Sequence, residues 1–353
     1  MTPMKLAVIG CGLIGRKHAE LIAAHEACAL AGICDLDARA GSVAEARGVP
    51  FYQDASAMLE RERPDGAVVA TPNEQHAATV ELCANRSVHV LIEKPIAGTL
   101  EDAQRIIQIA EQRGIQVLVG HHRRHNPLIR ETRAVVQGGT LGKLVGVSVM
   151  WALLKPADYF DVEWRCRRPG GGPTLINLIH EFDSLRYICG QIKQVFAHSS
   201  STARRLEVED SLAMTIAFAN GALGSVLASD VTPAPWSYEA TTRENPTYAG
   251  VDENCYYFLG TLGSLAFPQM ALWRYDPHGP SGWQHPLVTQ RLPVERADPL
   301  VRQLEHFCRV VRGAEAPIVD GLDGTRSLAV ALAALESMRC RKAVEVSAAD
   351  GLI

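Results

Sequence analysis

The feature that most constrains this chain is a glycine-rich turn close to its N-terminus. Leu6 to Ile9 predict a short buried strand, and the turn after it fits G-x-G-x-x-G at Gly10, Gly12 and Gly15. Apolar residues at helical spacing follow, so the segment predicts a strand, a tight turn and a helix. In this order the pattern is typical of a dinucleotide site: the first glycine permits the turn, the second lets the backbone touch a pyrophosphate, and the third lets the helix lie close to the strand.

An acidic residue follows the next predicted strand. Ala29 to Cys34 predict that strand, and Asp35 stands directly after it. An acid at this place binds the ribose hydroxyls of the adenosine and repels a 2′-phosphate, so NAD is favoured over NADP. Arg39 is close enough in sequence to weaken that preference. The alternative, a glycine turn that binds nothing, is disfavoured because the acid is present as well.

The composition of the chain limits the classes of function that it can have. A chain of 353 residues predicts two domains, and a net charge of −4 gives no electrostatic footprint for nucleic acid. The nine cysteines form no C-x-x-C pair, which favours free core thiols in a reducing compartment over disulfides or a metal site. No apolar run reaches the roughly 18 residues of a membrane span, and no signal peptide precedes the first strand, so we expect a cytoplasmic protein without a membrane partner.

Polar residues follow a third predicted strand, at 67–70. They are Thr71, Pro72 and Asn73, with His76 a little further on. The carboxyl edge of a doubly wound sheet is where ligands bind, so we expect these residues to face the cofactor. Thr71 and Asn73 are equally suited to capping the helix that follows, and we expect both roles together.

A charged pair follows the strand predicted at 88–92. Glu93 and Lys94 precede Pro95, which fixes the turn and is suited to a cis bond. A partly buried lysine serves as an acid or as a fixed cation beside a reacting oxygen. The alternative is a surface lysine paired with Glu93.

The second half of the chain predicts a run of strands. Asn220-Gly221 between two of them is a strong hairpin signal. Strands that follow a run of β-α units indicate a second domain rather than one long sheet. The long connection 156–172 is rich in charged and aromatic residues and therefore a candidate functional loop.

A helix predicted after that loop carries a histidine. Asn177, His180 and Asp183 are three residues apart and share one side of it. A neutral histidine near pH 7 takes a proton from a hydroxyl while a hydride leaves the carbon. A histidine in an apolar helix is more often a core residue, but the asparagine on the same side favours a polar pocket.

These motifs resemble the Gfo/Idh/MocA oxidoreductases, named for glucose–fructose oxidoreductase and inositol dehydrogenase. The resemblance rests on AVIGCGLIG at 7–15, the strand-end Asp35, ATPNEQH at 70–76, EKP at 93–95, GGG at 170–172 and IHEFD at 179–183. It implies a Rossmann domain, a doubly wound parallel sheet, over residues 1–121. It also implies an α+β substrate and oligomerisation domain with an open, mostly antiparallel sheet over residues 122–353, whose C-terminal helices pack back on the first domain.

The resemblance also implies roles for particular residues. Lys94 and His180 are the expected catalytic residues. The expected cofactor contacts are Gly10, Cys11, Gly12, Leu13, Ile14, Gly15, Asp35, Thr71, Pro72, Asn73, His76, Glu93, Lys94, Trp164 and Arg165. The expected substrate contacts are Lys94, His122, Lys155, Asn177 and His180, and no metal is expected. The expected partners are NAD, a small polyhydroxy substrate and further copies of the chain, in a homodimer or homotetramer.

One position departs from the family pattern. Many members carry Asp four residues before the catalytic histidine, where this chain has Ile176. The inositol-type arrangement is therefore incomplete, and His122, Lys155 and Arg165 suggest a basic pocket for an acidic sugar or hydroxy acid. Two alternatives stay open: an NAD-dependent glycosidase that oxidises its substrate transiently, and a non-catalytic NAD-binding sensor.

Overall fold

The computed structural model describes residues 2–346, and they divide into two compact units. The first unit comprises residues 2–122 and Pro299–Leu328. The second comprises Arg123–Asp298 and residues 329–346. The predicted boundary, between residues 121 and 122, lies one residue from this division, and the chain returns to the first unit after residue 298.

The first unit is built on a six-stranded parallel sheet. Its strands are β1 (Met4–Ile9), β2 (Cys28–Cys34), β3 (Phe51–Tyr52), β4 (Gly66–Val69), β5 (His89–Ile92) and β6 (Val117–Val119), in the order β3-β2-β1-β4-β5-β6. Its helices are α1 (Leu13–Ala24), α2 (Gly41–Glu45), α3 (Ala55–Glu62), α4 (His76–Ala84) and α5 (Leu100–Arg113). This strand order is that of the Rossmann fold, and its ligand crevice lies where the order reverses, between β1 and β4.

A helix from the far end of the chain completes the core of the first unit. Strand residues Leu6 and Val8 pack in one cluster with Phe307 of helix α10 (Pro299–Val311). Gly66 explains the fit, because a Cβ there would lie 3.0 Å from the Phe307 ring. The first turns of helix α11 (Gly321–Cys340) also belong to this unit.

The second unit is built on a nine-stranded, mostly antiparallel sheet. Its strands are β7 (Leu144–Ala152), β8 (Ile192–Ser200), β9 (Ser211–Phe218), β10 (Leu223–Ser229), β11 (Tyr256–Gly260), β12 (Ser264–Phe267), β13 (Ala271–Arg274), β14 (Val288–Arg291) and β15 (Val344–Glu345). The order is β14-β13-β12-β11-β7-β10-β9-β8-β15, and only β7 and β10 pair in parallel. Helices α6 (Pro127–Gln137), α7 (Pro173–Ile176), α8 (Leu178–Cys189) and α9 (Tyr238–Thr242) complete the unit with the remainder of α11.

Alternation along the strands gives this sheet one buried and one exposed face. In β10 every second residue from Gly224 is buried, while Leu223 and Leu227 are more than half exposed. The buried face packs in one core with helix α8, through residues such as Phe182 and Leu185. The predicted hairpin is present: Gly221 has φ +87° and joins β9 to β10.

The structure differs from the sequence prediction in several elements. After β2 the chain forms a 3₁₀ turn (Ala38–Ala40) followed by the short α2, where the apolar spacing predicts one helix over 39–47. The loop 156–172 holds two 3₁₀ turns, and strands β13, β14 and β15 were not predicted.

All nine cysteines are free thiols. Within residues 2–346 there is no helix with the length and apolarity that crossing a bilayer requires.

Candidate functional site

Two of the three glycines in the turn leave no room for a side chain, whereas the third faces open space. Gly10 has φ +91°, and a Cβ there would lie 2.5 Å from the Ala70 carbonyl. A Cβ on Gly15 would overlap the Gly10 carbonyl oxygen. A Cβ on Gly12 would have no described atom within 4 Å, and Gly12 is the N-cap of α1 without a side chain to cap the helix. The turn therefore leaves space and free N–H groups where a pyrophosphate binds.

Asp35 lies against this turn at the end of β2. One carboxylate oxygen accepts the Cys11 N–H at 2.6 Å and the other accepts the Asp37 N–H at 2.8 Å. Asp35 thus fixes the turn as well as standing where an acid binds ribose hydroxyls, and spacing alone did not indicate this second role. Arg39 pairs with Asp37 at 2.7 Å, so it does not neutralise Asp35. The first unit therefore fits NAD.

The residues after β4 do not cap the next helix. Contrary to prediction, Thr71 and Asn73 make no cap: helix α4 has Gln75 at its N-cap, without a side-chain bond. The Thr71 hydroxyl oxygen is buried and has no hydrogen-bond partner within residues 2–346. Buried polar groups are normally hydrogen-bonded, so this hydroxyl is suited to binding a ligand. Pro72 precedes the 3₁₀ turn Asn73–Gln75.

His76 is buried behind this segment. Its Nδ1 lies 3.0 Å from the Ile96 carbonyl oxygen and its Nε2 lies 3.0 Å from the Thr71 carbonyl oxygen. Burial lowers the pKa of His76, so the ring is neutral and donates one of these two bonds. The geometry makes His76 a support for the Thr71 backbone.

Glu93 is a buried, ionised carboxylate directly before Lys94. Burial by itself raises its pKa, but the His18 ring, 2.8 Å away, and the charges of Lys94 and His122 lower the pKa to about 2. The other oxygen accepts the Lys94 N–H at 3.2 Å. The Lys94–Pro95 bond is cis, and Lys94 is half-buried. Sequence reasoning missed His18, although it is a polar residue at a buried position of α1.

In the second unit, His180 lies in the first turn of α8 and is buried, with 8 % of its surface exposed. Its N–H donates to the Asn177 carbonyl at 3.0 Å. The Asn177 side chain is half-buried, and its Oδ1 accepts from Lys155 Nζ at 2.8 Å. The structure therefore brings the Lys155 and Asn177 side chains together, and a backbone bond links Asn177 to His180. Asp183 instead forms two bonds to Arg124, at 2.9 and 2.7 Å.

Two residues that the sequence did not indicate complete this group. Asp230, buried just beyond β10, lies 3.3 Å from Lys155 Nζ and accepts from Arg204 Nε at 3.2 Å. Burial lowers the pKa of Lys155, and Asp230 opposes that change. Asp230 and Arg204 are both distant from Lys155 in sequence, so no local pattern predicts that they contact each other and Lys155.

Trp164 and Arg165 lie in the second 3₁₀ turn of the long connection. The Arg165 guanidinium lies 4.2 Å from the Tyr159 ring centroid and donates to the Tyr159 carbonyl at 2.9 Å. Trp164 is half exposed. Arg167 pairs with Glu163 at 2.8 Å on the surface.

A buried cluster of charges adjoins His180 in sequence. Arg123 donates to Glu181 at 2.6 Å and to Glu239 at 2.9 Å, and the Tyr256 hydroxyl donates to Glu181. Burial raises the pKa of Glu181 to about 7, since the attraction of Arg123 is shared with two other glutamates, Glu239 and Glu244. In residues 2–346 no group of three histidine, cysteine or acidic side chains is placed to hold a metal ion.

Comparison with known proteins identifies the family. Residues 4–121 match the family described as an oxidoreductase family with an NAD-binding Rossmann fold. Residues 129–266 match the GFO/IDH/MocA C-terminal domain.

Similar proteins match over much of the chain. The rhizopine catabolism protein MocA of Rhizobium meliloti is 32% identical over 54% of this chain and 59% of its own length. A myo-inositol 2-dehydrogenase of Thermotoga maritima is 26% identical over 99% of this chain and 100% of its own length. The crystal structure of a scyllo-inositol dehydrogenase from Lactobacillus casei, with NAD(H) and scyllo-inositol bound, has a TM-score of 0.78 at 18% identity and covers 98% of this chain and 99% of that one.

Both family matches lie in the order that the sequence motifs predicted, and together they span most of the chain. The chain belongs to the Gfo/Idh/MocA family of oxidoreductases and carries its NAD-binding Rossmann domain.

Proposed function

We propose that the protein transfers a hydride between a secondary alcohol of a sugar, cyclitol or related polyhydroxy or acidic compound and NAD. The observation that carries most weight is the polar first turn of α8, where His180 stands three residues after Asn177 and the Asn177 side chain is bonded to Lys155. Such a group suits an alcohol substrate, since it combines a proton acceptor with hydrogen-bond donors. The names of the inositol and rhizopine relatives agree with a polyhydroxy substrate.

The cofactor site is assigned to the first unit. The open position at Gly12 and the N-terminus of α1 receive the pyrophosphate, with Cys11, Leu13 and Ile14 beside it. Asp35 binds the ribose hydroxyls, and the unpartnered Thr71 hydroxyl faces the bound molecule. NAD is preferred to NADP, because Arg39 is paired with Asp37 and an acid at position 35 repels a 2′-phosphate.

The chemical roles follow the family resemblance. Bound NAD supplies the acceptor for the hydride. His180 takes the hydroxyl proton at an imidazole nitrogen, and Lys94 donates a hydrogen bond to the substrate oxygen and shares its proton. Glu93 stays ionised next to Lys94 and favours the charged form of that lysine. Trp164 and Arg165 contribute to the nicotinamide side of the site.

An acidic substrate is one class within this proposal. Lys155, His122 and Arg165 are the residues that favour it. The charge of Lys155 is offset by Asp230, 3.3 Å away, so Lys155 attracts an anion less strongly than an unpaired lysine does. Uronic and hydroxy acids therefore belong in the substrate panel beside neutral polyols.

The exposed sheet face suits association with further copies of the chain. Leu223, Leu227, Tyr257 and Leu259 lie exposed on β10 and β11, the two neighbours of β7, and exposed apolar side chains grouped on one sheet suit an interaction surface. We propose a homodimer or homotetramer through this face. Analytical ultracentrifugation tests it, and a monomer at micromolar concentration contradicts it.

The activity is tested by NADH formation at 340 nm against sugars, cyclitols, uronic acids and hydroxy acids. Lys94→Ala and His180→Ala are measured beside the parent protein. Turnover on one class, abolished in both variants, supports the proposal. Release of an aglycone without net NADH indicates the glycosidase, and NAD binding without any turnover indicates the sensor.

Two glycine variants test the cofactor site. Gly12→Ala should leave the unfolding free energy within about 0.5 kcal/mol of the parent while weakening NAD binding at least tenfold, because the added methyl group meets only the pyrophosphate. Gly15→Ala should lose about 2 to 4 kcal/mol of stability, because its methyl group overlaps the Gly10 carbonyl. Calorimetry gives the affinity, and equal NAD binding in Gly12→Ala and the parent contradicts the assignment.

A further inference from the structure

We propose that Asp230, Lys155 and Asn177 form a relay that holds the Asn177 amide with its NH₂ group toward the substrate. Asn177 is then the residue that determines which substrate oxygen is accepted, and Lys155 and Asp230 are positioning residues that act through it. The inference rests on the proposed function, because it concerns the same site.

Lys155 is enclosed by protein groups. Its Nζ lies 2.8 Å from Asn177 Oδ1 and 3.3 Å from Asp230 Oδ2. The Tyr159 ring centroid lies 4.5 Å away and the Trp151 centroid 5.8 Å away. An ammonium group has three N–H donors, and these neighbours account for them; only 7 % of the side chain is exposed. Lys155 is therefore placed to orient a neighbour rather than to bind substrate directly.

The lysine fixes which end of the Asn177 amide faces it. An ammonium group only donates, so the amide oxygen must be the atom at 2.8 Å, and the two amide N–H donors point elsewhere. Asn177 is the half-buried member of the group, whereas Lys155 and Asp230 are buried. The part of the relay that a small molecule reaches is therefore a donor.

Asn177 does not use its side chain as an N-cap asparagine ordinarily does. At the start of α6, Asn126 accepts the Leu128 N–H at 2.9 Å with its side-chain oxygen. Asn177 occupies the same cap position of α8, but it makes no side-chain bond to the helix. Its oxygen is turned to Lys155 instead. The backbone of Asn177 is helical (φ −111°, ψ −56°) where that of Asn126 is extended, so the Asn177 side chain has no capping role and its oxygen bonds Lys155.

Asp230 keeps the relay charged and rigid. Its Oδ1 accepts from Arg204, its backbone N–H donates to the Asp210 carbonyl, and its carbonyl accepts the Lys155 N–H at 2.9 Å. The charged groups that act on Lys155 are Asp230 and Glu239, which raise its pKa, and Arg204, which lowers it. Burial lowers that pKa most, and Asp230 opposes the change and favours the charged form of Lys155.

The chemical consequence is a preference for substrate oxygens that accept hydrogen bonds. A carboxylate or hydroxyl oxygen next to the reacting carbon pairs with the Asn177 N–H groups. An ammonium group at that place meets only donors and is rejected, since unpaired donors facing one another cost binding energy. The preferred class is therefore hydroxy acids and polyols, and amino analogues at this position are excluded.

Two substitutions at one position separate the relay from a merely structural role. Asn177→Asp keeps an oxygen acceptor for Lys155 but removes the donors, and Asn177→Ala removes both. We expect KM for the substrate found in the panel to rise about tenfold in both variants, with NAD affinity unchanged. If Asn177→Asp keeps the parental KM, Asn177 serves only to hold Lys155 and the proposal is overturned.

A second measurement does not need turnover. In protein labelled with ¹⁵N-asparagine, the side-chain amide signal absent from Asn177→Asp identifies Asn177. Its shift should change with pH as Lys155 loses its proton, and Asp230→Asn should move that midpoint to lower pH, because the group that raises the Lys155 pKa is removed.

A matched variant covers the case in which Asp230→Asn does not fold. Lys155→Met should make the Asn177 signal independent of pH. A pH response that persists in Lys155→Met, or a midpoint unmoved in Asp230→Asn, overturns the relay. Absence of turnover across the whole panel overturns the proposed function instead, and the amide titration still decides the relay.

Discussion

Two buried glutamates stand next to the two proposed catalytic residues, and their pKa values move in opposite directions. Glu93 precedes Lys94 in the first unit, and Glu181 follows His180 in the second. Burial favours the neutral form of both, yet the pKa of Glu93 is lowered to about 2 while that of Glu181 is raised to about 7. The residue type and the burial are the same, so the difference comes from the neighbours.

The neighbours differ in the balance of charge. Around Glu93 the influential groups are His18, Lys94 and His122, all of which favour the ionised carboxylate. Around Glu181 a single guanidinium, that of Arg123, also serves Glu239. Lys94 therefore has a permanent negative charge beside it, whereas the charge next to His180 in sequence changes within the neutral pH range.

The largest effect should come from removing the shared cation. Arg123→Met leaves the buried Glu181 and the half-buried Glu239 without the guanidinium that they share, and we expect the unfolding free energy at pH 7 to fall by about 3 to 5 kcal/mol. Urea unfolding measures it. A loss below about 1 kcal/mol would show that the two glutamates are protonated and do not depend on Arg123.

A smaller loss should follow in the first unit from His18→Gln. Glutamine still donates to Glu93 but carries no charge, so the pKa of Glu93 should rise toward 4.5 and stability at pH 7 should fall by about 2 kcal/mol. Because the folded-state pKa of Glu93 is depressed, its contribution is present above about pH 4.5 and is lost as the pH falls toward 2. The variant should lose less on acidification than the parent.

His25→Gln is the matched control for that variant. Its partner Glu305 is 3.5 Å away and partly exposed, so the change should stay below about 0.5 kcal/mol. Urea unfolding at pH 7 and pH 3 compares all three proteins.

Glu181→Gln should reverse the sign of the pH effect. The folded-state pKa of Glu181 is raised, so its contribution is complete below about pH 4.5 and is lost as the pH rises through 7. Glutamine should flatten the decline in stability over this window by about 2 kcal/mol. Denaturation curves at half-unit pH steps test it, and an unchanged slope would mean that another group titrates there.

The smallest effect should come from an exposed pair, which gives the baseline for the others. Arg167 and Glu163 lie 2.8 Å apart on the surface, with both side chains more than 60 % exposed. Arg167→Met should change the unfolding free energy by less than about 0.5 kcal/mol, because solvent screens the pair. A loss as large as that of Arg123→Met would show that burial does not explain why the buried ion pairs contribute more to stability than the exposed pair.

The first unit was largely predictable because its signals are local. The glycine turn, Asp35 and the E-K-P segment each depend on a few consecutive residues after a buried strand, and the structure places them where the pattern indicates. The error at Thr71 and Asn73 has a local cause too. The 3₁₀ turn at Asn73–Gln75 displaces the start of the helix, so neither residue reaches the cap position.

The second unit was less predictable because its groups are distant in sequence. Asp230 reaches Lys155 across 75 positions, and Glu239 reaches Arg123 across 116. No periodicity marks such pairs. Strand β14 was missed for a related reason: its four residues are all exposed, so it lacks the alternation that reveals a strand, and it is defined only by pairing with β13.

The return of the chain to the first unit after residue 298 has a consequence for its synthesis. Phe307 covers Gly66 and packs with Leu6, but a ribosome makes it only after residues 123–298 of the second unit. At about 5 to 20 residues per second that interval lasts roughly ten to forty seconds. Throughout this interval the newly synthesised parallel sheet exposes apolar residues such as Leu6. That face must be shielded from other nascent chains until helix α10 emerges.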